Sequence, residues 1–136
     1  MFPSHLSVSL IHRHNSSEVI KNHAGIRIYL DEAGYLSIEL KSLNKPMYRQ
    51  SKETAIKFPL DRWVEVKAHF YLSDREEGVI EVWQDQVPVI KTNGVTLPIA
   101  RAIYNSLEIG ISAHSFGNKT ATLWVDDIEV SNEPIE

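Results

Sequence analysis

Several residue types with chemical capacity fall on the polar side of an alternating apolar and polar pattern: Arg27, Tyr29, Glu39, Lys67, His69, Tyr71, Glu81, Trp83 and His114. Residues at i and i+2 of a strand point the same way, so His69 and Tyr71 share a face. Either type can act as a general base, and Arg27 or Lys67 could neutralise a carboxylate beside the reacting carbon if their strands are neighbours. Glu81 and Glu39 are two carboxylates that hydrolytic chemistry would need to hold roughly 5 to 9 Å apart across a bond. Trp83, Tyr29 and Tyr71 offer flat aromatic faces, while Glu81, Lys67, Arg27 and His69 offer hydrogen-bonding groups. The same composition also suits the solvated outer face of a sheet, which is polar without any ligand.

Other chemistries find less support. His12 and His14 point alike if their segment is extended, but a transition-metal site needs a third ligand, and His5 and His23 cannot be placed against them, so a solvated loop is the favoured reading. With no cysteine in the chain, disulfides and Cys-based zinc sites are excluded. The six glycines are too dispersed for a P-loop, a dinucleotide fingerprint or a nucleophile elbow. Asn15-Ser16-Ser17 and Asn118-Lys119-Thr120 fit the glycosylation triplet, a pattern that arises often by chance.

The elements that position these residues have a period of two. Val64, Val66, Ala68, Phe70 and Leu72 alternate with Trp63, Glu65, Lys67, His69 and Tyr71, and beyond a turn Ile80 and Val82 alternate with Val79, Glu81 and Trp83. The two runs read as an antiparallel hairpin. Val87 to Lys91 follows as a short strand whose Pro88 predicts an edge position. Ile26, Ile28 and Leu30, then Leu36, Ile38 and Leu40, make a second hairpin around Asp31-Glu32-Ala33-Gly34. Leu6 to Ile11, Leu107 to Ser112, and Leu123 to Val130 with a bulge at Asp126-Asp127, complete the pattern. Leu97 to Tyr104 is the one stretch with helical spacing, good for one or two turns. Val64, Val66, Phe70, Ile80, Val82, Ile109, Val125 and Ile128 are the expected core.

The 136 residues, 43% hydrophobic and 24% charged, suit one globular domain spanning 1–136 that needs no staple. A formal charge of -4 with no basic run argues against nucleic acid as a partner. The opening residues lack the flank and apolar stretch of a signal peptide, and no segment reaches membrane-spanning length, so the chain reads as soluble without a membrane partner. Its compartment is not specified. Many short alternating strands between turns predict an all-β fold, an antiparallel two-sheet sandwich of about nine strands, with a jelly roll the first choice.

Three stretches carry a family resemblance: Trp63-Val64-Glu65-Val66-Lys67, Gly78 to Gln86 with its Val82-Trp83-Gln84-Asp85-Gln86 element, and Leu123-Trp124-Val125-Asp126-Asp127-Ile128-Glu129-Val130. Together, over about residues 26 to 131, they resemble the last third of concanavalin A-like lectin/glucanase jelly rolls, most closely the heparinase-like and alginate-lyase-like polysaccharide lyases. Gln86 stands where that family's turn normally has glycine, which points to another turn type. The "ExDxE" strand signature of the glucanase branch is absent.

The resemblance implies a concave sheet face that binds an oligo- or polysaccharide, with Trp83, Glu81, Lys67, His69, Arg27 and Tyr29 as ligand-binding residues. No catalytic residue is assigned; if the lyase chemistry of that family were present, His69 and Tyr71, which share a strand face, would be the candidates for removing a proton beside a uronate carboxylate. Because the family's full catalytic set draws on N-terminal strands that this chain begins too late to supply, a non-catalytic lectin-like module is the expected function. A polysaccharide lyase, a glycosidase or a remnant of either, and a structural scaffold, are the alternatives. The family also implies calcium at Asp126, although its remaining ligands would again come from N-terminal segments. Uncovered sheet edges left by those missing strands predict a homodimer, with Leu6 to Ile11 as its contact.

Overall fold

The computed structural model describes residues 5–11, 25–41, 47–113 and 121–135. Among them the fold is all-β and antiparallel throughout. The larger sheet contains β1 (His5–Ile11), β2 (Gly25–Leu30), β3 (Leu36–Lys41), β4 (Met47–Tyr48) and β8 (Ser106–Ala113), in the order β4-β3-β2-β1-β8. The smaller contains β5 (Val66–Tyr71), β6 (Val79–Gln84) and β7 (Val87–Asn93), in that order.

Period-two alternation divides each sheet into a core face and an outer face. In the larger sheet Ile26 opposes Leu40, Ile28 opposes Ile38 and Leu30 opposes Leu36. In the smaller, Val82 lies between Ala68 and Ile90. Apart from Ala68 these residues belong to one apolar cluster drawing on both sheets, with Ala68, Val66, Phe70, Tyr48 and Phe58 packed at its margin. The molecule is thus sandwich-like, with its core between the sheets.

Two turns set the hairpin registers. Asp31 closes the β2–β3 connection, its carboxylate accepting from the backbone N–H of Ala33 and of Tyr35, while Gly34 takes the positive φ of 86° that glycine adopts without strain. The β6–β7 connection has only Asp85 and Gln86, at φ 49° and 64°. Two consecutive left-handed residues make a type I′ turn, the type whose twist matches a hairpin. The expectation of another turn type is therefore corrected: Gln86 accepts the strain, and Asp85 is anchored by its backbone N–H donating to the carbonyl of Glu65 at 2.9 Å.

Buried polar bonds tie the strand ends together. The Thr96 hydroxyl donates to the Tyr71 carbonyl at 2.9 Å and accepts from the Ser73 N–H at 2.8 Å. The N–H of Gly94 donates to the carbonyl of Gly78 at 2.9 Å, and Tyr48 of β4 donates its hydroxyl to the carbonyl of Asn93 at 3.4 Å, which holds the end of β7 over β4. The apolar rows of β5 and β6 pack on those of β2 and β3.

Four further expectations are corrected. The stretch from Leu97 to Tyr104 forms no helix: the Ala102 N–H closes a single turn onto Ile99, and Arg101 sits at φ 65°, off the helical path. Trp63 and Val64 precede β5 instead of belonging to it. Residues 123–130 form no strand, and Val125 and Ile128 are 45% and 60% exposed instead of buried. Of the remaining expected core, Ile80 and Val82 are fully buried, while Val64, Val66, Phe70 and Ile109 are half-buried. The fourth correction concerns the opening strand's edges, both of which are taken, by β2 and by β8, so any contact of Leu6 to Ile11 with a second copy would use a sheet face.

Candidate functional site on the three-stranded sheet

The outer face of β5-β6-β7 gathers four of the six residues expected to bind a ligand. Register puts Lys67 opposite Trp83, and His69 opposite Glu81, which in turn faces Lys91. The Lys67 ammonium lies 5.4 Å from the centre of the half-buried Trp83 indole, a cation–π distance. On the other side of Trp83 stands Pro88 of the edge strand β7, as its missing N–H requires.

Glu81 is the electrostatic centre of this face. One carboxylate oxygen lies 3.0 Å from His69 Nδ1 and the other 2.9 Å from Lys91 Nζ. These hydrogen bonds, that from His69 first and that from Lys91 next, hold its carboxyl below the ordinary glutamate range against the opposing effect of burial. A carboxylate so held stays ionised and accepts hydrogen bonds, which suits ligand hydroxyls and does not suit a general acid, whose pKa must be raised.

Lys91 was not among the residues expected here. A two-residue hairpin without a defect would set Ile90 opposite Glu81 and turn Lys91 toward the core. The register shift between Val82 and Trp83 sends Ile90 into the apolar cluster and brings Lys91 out beside Glu81. The consecutive apolar pair Val89-Ile90 before a lysine is the trace of that bulge in the sequence.

Arg27 and Tyr29 belong to the other sheet. Alternation with Ile26 and Ile28 turns them to the outer face of β2, away from β5-β6-β7 across the core. Arg27 pairs with Glu39 on the neighbouring strand and lies 5.2 Å from the Tyr29 ring centre. Tyr29 is only 6% exposed, donates its hydroxyl to the Met47 sulfur at 2.8 Å, and has its pKa raised chiefly by burial. Its ring is not open for stacking. Glu39 and Glu81 likewise point away from one another on opposite faces of the sandwich, so they cannot flank one bond.

His69 and Tyr71 do share a face, with Tyr71 opposite Val79 and well exposed. The cations on this face are Lys67, drawn onto Trp83, and Lys91, paired with Glu81; Arg27 lies on the other sheet. Asp126 is exposed and its carboxylate accepts from the Asp127 N–H, and among the described residues no three His, Asp or Glu side chains gather around it as a metal site. His12, His14, His23 and His114 lie outside the described residues. Among the described residues no helix is long and apolar enough to cross a membrane. Comparisons of the chain with family models, with curated proteins and with solved structures find no match.

Proposed function

We propose that the protein is a non-catalytic carbohydrate-binding module of the concanavalin A-like jelly-roll kind, which takes an oligosaccharide on the outer face of β5-β6-β7. The observation that carries this reading is the pairing, on one exposed face, of a half-buried indole with an ionised carboxylate held between two basic side chains. An indole stacks on the apolar face of a pyranose ring, while Glu81, His69 and Lys91 accept from and donate to its hydroxyls. Trp83 and Tyr71 sit one strand over and four residues apart along the strands, which is about 14 Å by strand geometry. A single sugar cannot reach both aromatics, so the ligand that uses the whole face is an oligosaccharide.

A glycan array run beside a lyase assay that follows the unsaturated product tests the reading. Array binding without product is the expected result, and Trp83→Ala should lower affinity at least tenfold while leaving the unfolding midpoint nearly unchanged. Product formation would assign an enzyme instead. Absence of both would leave the sandwich as a scaffold.

A further inference from the structure

We propose that two copies of the chain exchange residues 121–131, each laying this segment along the open edge of β5 in its partner to close a twofold dimer. The sandwich is uneven, with five strands against three. Because β5 and β6 pack on β2 and β3 while the core side of β8 is open, the uncovered lane lies beyond β5, on the β8 side of the larger sheet. Burial agrees with that geometry. The core residues of β3 are almost wholly buried, those of β5 are half-buried, and Leu107 and Ile111 on the core side of β8 are 38% and 39% exposed. Among the described strands β5 pairs only with β6, so its other side presents backbone donors and acceptors to any added strand.

The chain carries a segment that matches this lane and does not occupy it. Leu123, Val125, Ile128 and Val130 fall on one side of an extended run if Asp127, at φ 51°, makes a bulge. Trp124, the two aspartates and Glu129 fall on the other. The segment lies outside both sheets, with Trp124 77% exposed and Val130 72%. Placed beside β5, its apolar side would continue the row of Val66, Ala68 and Phe70 and cover Leu107 and Ile111. Its acidic side would meet Lys67 and His69. Lysine on an edge strand repels basic partners and admits an acidic one, so the charge selects this segment.

A second copy is the occupant because, among the described residues, nothing covers the lane and the segment pairs with no strand. Reciprocal exchange fills both lanes with one self-complementary contact, and a twofold closes the assembly with two copies where a head-to-tail arrangement would need a larger ring or an open filament.

Sedimentation of the full chain at micromolar concentration should give twice the 15.5 kDa chain mass. Val125→Asp with Ile128→Asp should weaken the dimer at least a hundredfold. Both residues are exposed in the single chain, so its fold, followed by circular dichroism, should persist. Lys67→Glu should weaken it too, and adding Asp126→Lys and Asp127→Lys to that variant should restore it. A monomer at all concentrations, larger open polymers, a dimer indifferent to the aspartate substitutions, or charge reversal without rescue would each overturn the proposal.

Discussion

Gln86 is a side chain in a position that suits glycine. Left-handed φ costs an ordinary residue roughly 1–2 kcal/mol, and glycine gives back about 0.5–1 kcal/mol of that through its greater freedom in the unfolded chain. Gln86 is exposed, so Gln86→Gly should raise stability by about 0.5–1 kcal/mol, read as an upward shift of the urea midpoint. Its neighbour Asp85 is secured differently. The Arg62 guanidinium at 2.5 Å and the Glu65 N–H at 3.1 Å hold its carboxyl below the usual range, which keeps the acceptor charged where the turn needs it. Tyr104 shows the opposite effect: burial pushes its phenol up to about 12 from 10.0 while its hydroxyl donates to the Thr96 carbonyl at 2.5 Å. The folded pKa is the higher of the two, so the group's contribution is whole below pH 10 and is lost as pH rises from there toward 12. Urea midpoints measured between pH 9 and 12 should fall more steeply for the wild type than for Tyr104→Phe.

At the scale of elements, the strands that alternate cleanly were legible because one face of each has a partner to bury it. Ile26 to Leu30, Leu36 to Leu40 and Ile80 to Val82 form the rows their spacing implies, and Pro88 marks an edge strand as its chemistry requires. Leu123 to Val130 carries the same signal and stays outside the sheets, since alternation reports that a face can be buried without reporting that a partner strand is there. Met47–Tyr48 is too short to alternate, so β4 left no pattern to read. Most of the candidate site was legible, in Lys67, His69, Tyr71, Glu81 and Trp83. Lys91 was hidden by the bulge, and Tyr29 could be put on a polar face without any hint that this face is covered there. For β5 the half-burial of Phe70 lowers the expected effect of truncation. A fully buried phenylalanine loses about 3–5 kcal/mol on replacement by alanine. Phe70→Ala should lose roughly 1.5–3 kcal/mol by urea unfolding, in line with the transfer energy of a partly covered side chain.

For the whole molecule, the uneven pairing of sheets predicts a gradient of energetic importance across one continuous sheet. Ile38 on β3 and Ile111 on β8 both point to the core side, and a sheet covered along its whole width would make them equivalent. Ile38 is fully buried under β6 and its neighbours, whereas Ile111 is 39% exposed. Truncating a buried isoleucine removes transfer energy and leaves a cavity, together about 2–5 kcal/mol, whereas a site already open to water leaves no closed cavity. Ile38→Ala should therefore lose about 2–5 kcal/mol and Ile111→Ala under about 1 kcal/mol, in unfolding experiments dilute enough for the chain to be monomeric. At concentrations that favour the exchanged dimer, the second value should grow, because the partner's segment would then shelter Ile111 and association would add to its apparent stability. Equal losses at the two positions in the dilute monomer would mean that β8 is covered within its own chain, and the open lane beside β5 would have to be abandoned.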